Sequence, residues 1–384
     1  MSRLAQGQKL EGKVVDAVTN KPIPYASVSL LNTSIGTTCN AEGEFVLQKV
    51  PVSSKLLVSE LGHRRDTIVV TSAAVLRISL TPASVVLPEI HVGSYLADLL
   101  LQAYNKSRQL YSQKTYGRAF YRQITRHNGD ATEVLEMIWN TKTNNAGVEG
   151  TSLAQGRYAE KKALVKLNNF SLNTRLYGVY DAQADTSRSI WMIGPNVERY
   201  YSLNLVGVTE NGTQQLVEVE FASKPGINPN HHRGSITIDA ITHQILRFQM
   251  ETEGVRISSN SASTQFKDQR TFFEMVFQAS EKGAPILNYV SVRYQAVIAR
   301  PKKDDVNLQV NSLTVFYDGQ PVPSGIAYSS AVDKANKSDL VSIKRTTYNP
   351  TFWAENSIVK RTPLEEGVIQ AFEQKGAFGT LLTH

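Results

Sequence analysis

The chain has 384 residues, 41% of them apolar and 20% charged, and a net charge of +7 from 41 basic and 34 acidic side chains. At roughly 100–200 residues per domain this length calls for two or three domains, and no apolar run approaches the ~18 residues of a membrane span. Basic clusters such as Lys161-Lys162 and Arg300-Pro301-Lys302-Lys303 lie beside Glu160 and Asp304-Asp305, so there is no basic stripe of the kind that marks a nucleic-acid partner, and the single cysteine, Cys39, excludes an internal disulfide and a Cys-x-x-Cys site.

Residues 1–8 open with Leu4-Ala5-Gln6-Gly7, read either as the tail of an export signal or as a disordered start. Residues 9–82 read as about seven short strands. Ala26, Val28 and Leu30 alternate with Tyr25, Ser27 and Ser29, the period of a half-buried strand. Thr19 to Pro22 and Asn40 to Gly43 are turns: Asn and Pro shape the bend, and Gly43 is free to take positive φ. Such spacing predicts a β-sandwich or barrel. Cys39 falls in a strand-like run and is expected to be a small buried apolar residue.

These residues also carry a resemblance. Gly12-Lys13-Val14-Val15-Asp16, Pro22-Ile23-Pro24-Tyr25-Ala26-Ser27-Val28, Gly36-Thr37-Thr38, Gly43-Glu44-Phe45 and Gly62 resemble, in order, the carboxypeptidase regulatory-like domain. That family is a transthyretin-like (prealbumin-like) β-sandwich. Two positions depart from its pattern: Asn40 stands where an Asp is usual, and His63 where an aromatic is usual. The resemblance implies an accessory rather than a protease. It also implies an exported protein, periplasmic or outer-membrane associated, and favours the signal-remnant reading of residues 1–8.

Residues 83–94 read as a linker containing Pro88. A helix over 95–113 follows, with Ser94 placed to cap it and Leu96, Leu99, Leu100, Ala103 and Leu110 on one face. From Tyr116 the pattern returns to period two in long runs, among them Val197 to Val208, Ile245 to Thr252, Leu287 to Ile298 and Leu308 to Phe316. Residues 95–330 are thus expected to be a helix with a large curved antiparallel sheet, of which a half-barrel is one form. Gly234 to Asp239, Thr242 and Ile245 to Phe248 form a strand–turn–strand similar to a hairpin of half-barrel, lipoprotein-carrier-like envelope proteins. In residues 331–384, Thr362-Pro363-Leu364-Glu365 is a capping box that starts a helix over 363–375, and Phe352-Trp353 is an anchor onto the body.

The usual catalytic patterns are missing. None of the seven histidines has Glu three residues on, and His-Glu-x-x-His, Gly-x-Ser-x-Gly and both phosphate-loop patterns are absent. His231-His232 read as solvated loop residues. Glu133 and Glu136, and likewise Glu218 and Glu220, read as the solvated faces of strands. Of Tyr200-Tyr201, Phe272-Phe273 and Phe352-Trp353, one member of each pair is expected in the core.

The chain therefore reads as mainly β: an N-terminal transthyretin-like sandwich, a larger antiparallel domain and a helical C-terminal segment. The expected function is a non-catalytic envelope binding or assembly module without cofactor or metal. Its expected partners are an envelope lipid, lipoprotein or glycan, or an outer-membrane protein. A sheet crossed by a helix can hold an acyl chain, lined by Leu99, Leu100, Trp139 and Ile238, or the helix can fill the sheet as core. A surface glycan- or peptide-binding protein is the alternative. A hydrolase is the third reading and requires two carboxyl groups about 5–10 Å apart in a polar cleft.

Overall fold

The computed structural model describes residues 8–33, 35–71, 75–86, 92–167, 169–180, 193–211, 214–227, 231–253, 265–280, 283–317, 325–330, 338–355, 359–378 and 381–382. Residues 1–7, on which the signal-remnant reading rests, and Pro88 lie outside them.

Seven strands make the first unit: β1 (Gln8–Asp16), β2 (Ser27–Leu30), β3 (Gly36–Thr38), β4 (Glu44–Val50), β5 (Lys55–Ser59), β6 (Asp66–Val69) and β7 (Leu76–Leu80). They form two sheets, in the orders β4-β1-β7 and β3-β2-β5-β6. Between them lie Leu10, Val14, Val28, Phe45, Leu56 and Ile78. The expected burial of Cys39 is met, since it is fully buried in this core and burial pushes its thiol far above the ordinary range. Asn40 does the work of the usual Asp: its Oδ1 accepts from the Glu42 and Glu44 N–H groups, both at 2.9 Å. Gly43 beside it has φ +71°, and a Cβ there would press on the Val14 carbonyl.

The segment expected as a linker contributes a strand, β8 (Ser84–Val86), before helix α1 (Val92–Leu110). The helix therefore starts before Ser94. The remaining strands are β9 (Thr115–His127), β10 (Asp130–Asn144), β11 (Gly147–Lys161), β12 (Tyr201–Asn211), β13 (Gln214–Ser223), β14 (Arg233–Asp239), β15 (Ile245–Thr252), β16 (Gln265–Gln278), β17 (Ile286–Arg300), β18 (Lys303–Tyr317) and β19 (Leu381–Leu382). Short helices α2 (Leu172–Leu176) and α3 (Val197–Tyr200) precede β12, and α4 (Asp339–Lys344), α5 (Pro350–Glu355) and α6 (Pro363–Glu373) follow β18. The expected strand from Val197 thus begins as a helical turn: Val197 and Tyr201, four residues apart, are both buried.

All but the first seven strands join one open twelve-stranded sheet, in the order β19-β11-β10-β9-β18-β17-β16-β15-β14-β13-β12-β8. The ten strands from β11 to β12 are antiparallel throughout. Helix α1 lays Leu96, Leu99, Leu100, Ala103 and Tyr104 onto one face, against Val219, Ile236, Phe248, Met275 and Val290. That burial, at about 25 cal/mol per Å² of apolar area, is the main force holding helix to sheet. Within this face Gly234 is irreplaceable, because a Cβ there would collide with the backbone carbonyl of Gln249. Gly234→Ala is expected to cost about 1–3 kcal/mol, read from chemical denaturation, and an unchanged midpoint would show that the β14–β15 register yields freely.

The C-terminal segment wraps the β11 edge. Helix α4 sets Leu340 and Ile343 against Trp139 and Tyr158 on the α1 side. Helix α6 sets Ile369 and Phe372 against Ile124, Val134 and Ala159 on the far face. Its capping box is formed: Thr362 Oγ1 accepts from the Glu365 N–H at 3.2 Å, and Glu365 Oε2 from the Thr362 N–H at 2.8 Å. Among the described residues, no helix is long and apolar enough to cross a membrane.

Candidate functional site

Side chains alternate across each strand, so register decides what the far face displays. One cross-strand row runs Glu220, Ser235, Gln249, Glu274, Ser291, Leu313, Arg122, Glu136, Arg157. It is polar across nine strands, broken only by Leu313. The C-terminal segment covers the Arg122 end. The Glu220 end is open.

At the covered end Glu136 is buried, 1% exposed, between two arginines. Arg122 Nε donates to its Oε1 and Arg157 Nε to its Oε2, both at 2.7 Å. Burial raises the carboxyl, but Arg122 and Arg157 outweigh it and hold Glu136 at about 2. Helix α6 supplies outer carboxylates: Glu365 lies 3.2 Å from Arg122 and Glu373 3.1 Å from Arg157. Arg157 also lies over the Trp353 and Phe378 rings, at 4.8 and 4.4 Å from their centroids. The expected Phe352-Trp353 anchor is therefore in place through Trp353.

Between the covered and open ends the sandwich meets the far face. Tyr25 holds φ +58°, a left-handed conformation that costs a side-chain-bearing residue of order 1–3 kcal/mol. Its ring lies 5.0 Å from that of Tyr289 on β17. Burial raises the Tyr25 hydroxyl to about 12. Beside it Glu60 Oε1 pairs with Arg247 Nη2 at 3.3 Å, and Arg247 Nε with Glu274 at 3.3 Å. Three adjoining cavities, of about 380, 780 and 540 Å³, share Tyr25 as a wall. The 780 Å³ cavity opens over Glu218, Glu220, Ser235, Gln249, Glu274 and Ser291, with Phe272 under the Arg293 guanidinium at 5.0 Å. The arrangement is a polar cleft with aromatic platforms.

A second polar cluster lies on the α1 side. Glu133, 4% exposed, accepts from Thr125 Oγ1 at 2.9 Å and from the Leu167 N–H at 3.3 Å, and lies across the strand pair from Glu160. Burial raises its carboxyl to about 7. Asp339 is raised to about 6, again chiefly by burial, while accepting from Ser171 Oγ at 2.7 Å.

Leu99, Leu100 and Ile238 pack together in the core under α1, and Trp139 lies in a neighbouring cluster, its ring 5.0 Å from Tyr121. None of the four lines any of the cavities described above. The expectation of solvated glutamates is corrected for Glu133 and Glu136, both of which are buried. Three residues apart in one strand, they point to opposite faces, so they were never able to share one solvated face. Glu220 is exposed and Glu218 half-buried. Tyr201, Phe273 and Trp353 are the buried members of their aromatic pairs. His231 is exposed, whereas His232 is half-buried and its imidazole lowered by burial. Among the described residues, no group of three His, Cys, Asp or Glu side chains is arranged to hold a metal ion.

Comparison with known proteins gives the first unit its family. Residues 10–92 match the CarboxypepD_reg-like domain. The match covers less than a quarter of the chain, and no curated protein matches it. Among solved structures, the chain is similar to a LolA superfamily protein from Nitrosomonas europaea at 8% identity, over 59% of this chain and 94% of that one, with a TM-score of 0.19. It is also similar to a DUF1329 family protein from Desulfovibrio piger at 8% identity, over 59% and 93%, with a TM-score of 0.22. The architecture described above stands on the chain's own geometry. Tyr25, Glu60 and His63, which face or brace the cleft, all belong to the CarboxypepD_reg-like domain.

Proposed function

We propose that the chain is a non-catalytic binding module of the cell envelope that takes a polar ligand, a glycan or a peptide segment, in the cleft between the CarboxypepD_reg-like domain and the far face of the large sheet. The observation that carries this reading is the left-handed Tyr25, whose ring is held over the sheet where three cavities meet. Their volumes fall in the range of about 300–1,000 Å³ usual for ligand sites. Carboxylates, amides and hydroxyls line the largest, with Phe272 and Tyr25 as flat apolar surfaces, a combination that suits sugars and extended peptides better than an acyl chain. The envelope location rests on the resemblance of residues 9–82 to sandwiches of exported proteins.

Native mass spectrometry on protein purified gently from its own cells, compared with the denatured mass, tests this. The expected result is a retained oligosaccharide or peptide that is lost in a Phe272→Ala variant. A retained lipid would overturn the reading. No retained mass, and no binding of added glycan or peptide, would overturn it in favour of an assembly role.

A further inference from the structure

We propose that the ligand of the cleft is an acidic glycan, whose carboxylate is held by Arg126 and Arg293 in the cavity of about 540 Å³ beside Tyr25. This rests on the cleft being a binding site and names the chemistry that the cleft selects.

Arg126 lies on the far face of β9 and is 9% exposed. Its burial has a local cause. Ile124, two residues before it, and Ala131, its cross-strand partner on β10, pack beneath α6 with Ile369, Phe372 and Val368. The helix therefore covers the strand pair beside the guanidinium. Arg122 and Arg157, buried in the same face, share Glu136. Among the described residues, Arg126 makes no ion pair and no side-chain hydrogen bond. Glu365 is its charged neighbour, but that carboxylate is already taken by Arg122 at 3.2 Å and by the Thr362 N–H at 2.8 Å. Burial pushes the Arg126 guanidinium below its ordinary range, with Glu365 opposing. A buried cation without a partner opposes folding, and an anion brought by a ligand removes that cost.

A second guanidinium converges on the same cavity. Arg126 stands in register with Gln309 and Gln295, and Arg293 with Asn311 and Ile124. Arg293 is thus two strands over and two residues along, roughly 10 Å across the strands and 7 Å along them. Both side chains line the cavity, and Arg293 also lines the neighbouring one of about 780 Å³, above Phe272. Arg293 makes no ion pair among the described residues, and neither does half-buried Lys13 on the sandwich wall. Of the acids in this cavity, Glu365 is engaged as above and Glu44 is shared by Lys360 and Asn40, at 3.6 and 3.4 Å. Only Glu42, exposed at the rim, is left against three cations. Guanidinium forks match the two oxygens of a carboxylate.

The face of the sheet favours a sugar over a peptide. An extended peptide gains its affinity from main-chain hydrogen bonds at a sheet edge. Here the strands from β13 to β9 pair with one another along both sides, so recognition falls to side chains. Glu218, Ser235, Gln249, Ser291 and Asn311 offer carboxylates, amides and hydroxyls, the partners that sugar hydroxyls need.

The test titrates trisaccharides of galacturonate and of glucuronate into the full chain and follows the Arg126 and Arg293 Nε–Hε resonances by NMR. Both resonances are expected to shift and saturate with at least one of the two sugars, and its carboxyl-reduced form is expected to bind about tenfold more weakly or worse. Arg126→Gln is expected to weaken binding roughly 10- to 100-fold, the scale of one charged hydrogen-bonded pair, with an equal or higher denaturation midpoint. An arginine kept for the fold would lower that midpoint. Arg293→Gln, at an exposed position, is expected to weaken binding with the midpoint unchanged. An Arg126 resonance that neither sugar moves, a reduced sugar that binds equally well, or binding that survives in Arg126→Gln would overturn the proposal. Tighter binding of triglutamate would replace the glycan by an acidic peptide, and tighter binding of a sulfated trisaccharide would replace the carboxylate by a sulfate; either overturns it. A neutral glycan whose binding is lost in Phe272→Ala but not in Arg126→Gln would overturn this proposal and leave the binding reading standing. A uronate whose binding needs Arg126 but not Phe272 would do the reverse.

Discussion

Glu136→Ala is expected to cost about 3–5 kcal/mol of folding stability, the penalty for leaving buried charges without their partner. Arg122 and Arg157 both spend their Nε–H on this one carboxylate, and both are buried. Glu365 and Glu373 sit at the outer edge of the pair and cannot move inward, because helix α6 is fixed by Ile369 and Phe372 in their own pocket. The variant is therefore expected to loosen α6 as well as lower stability, seen as faster amide exchange over residues 363–373 alongside the shifted denaturation midpoint. Replacing the whole set, Arg122→Met with Glu136→Leu and Arg157→Met, is expected to be far milder, since desolvating the ions costs about as much as their attraction returns. A single Glu136→Ala variant within about 1 kcal/mol of wild type would show that water reaches the arginines and that the cluster is not buried in solution.

Glu133→Gln is expected to change stability in a pH-dependent way and in the favourable direction. The Glu133 carboxyl is raised to about 7 by burial, from an ordinary value of 4.5. The folded chain therefore binds more protons than the unfolded chain between these values, and stability falls as pH rises through that window. The full loss is about 3 kcal/mol for a shift of this size. Glutamine cannot ionise, so the variant is expected to match wild type near pH 4.5 and to exceed it by about 2–3 kcal/mol near pH 8. Paired denaturation curves at the two pH values measure this. A difference that does not change with pH would mean that Glu133 keeps its charge in the fold, sustained by the Thr125 hydroxyl and the Leu167 N–H.

Several features were legible in the chain itself because they depend on neighbours in sequence. The alternation in Tyr25 to Leu30 predicts β2, and its burial alternates as expected. Thr362 and Glu365 predict a capping box, and both of its hydrogen bonds form. Asn40 and Gly43 predict a turn through their own side-chain oxygen and positive φ. The apolar stripe of α1 predicts a helix lying on a sheet, which is where Leu96, Leu99 and Leu100 lie.

The candidate site was not legible in the same way. Glu220, Glu274, Arg122 and Arg157 belong to one row only because nine antiparallel strands pair in one register, and a shift of a single residue would send each of them to the other face. Tyr25 reads as an ordinary outward strand-end residue until Tyr289 is found beneath it. Glu133 and Glu136 read as two surface acids until the Leu167 segment covers the first and α6 the second.

The sequence by itself determined the mainly β class, the sandwich family of residues 9–82, the strand and helix character of most segments, and the absence of the common catalytic motifs. Only the tertiary structure decided which glutamates are buried, where the cavities lie, and that Glu60 of the sandwich pairs with Arg247 of the sheet. The physical reason is that periodicity tells which face of an element a side chain occupies. What covers that face, and therefore its solvation, charge and function, is set by contacts between residues far apart in the chain.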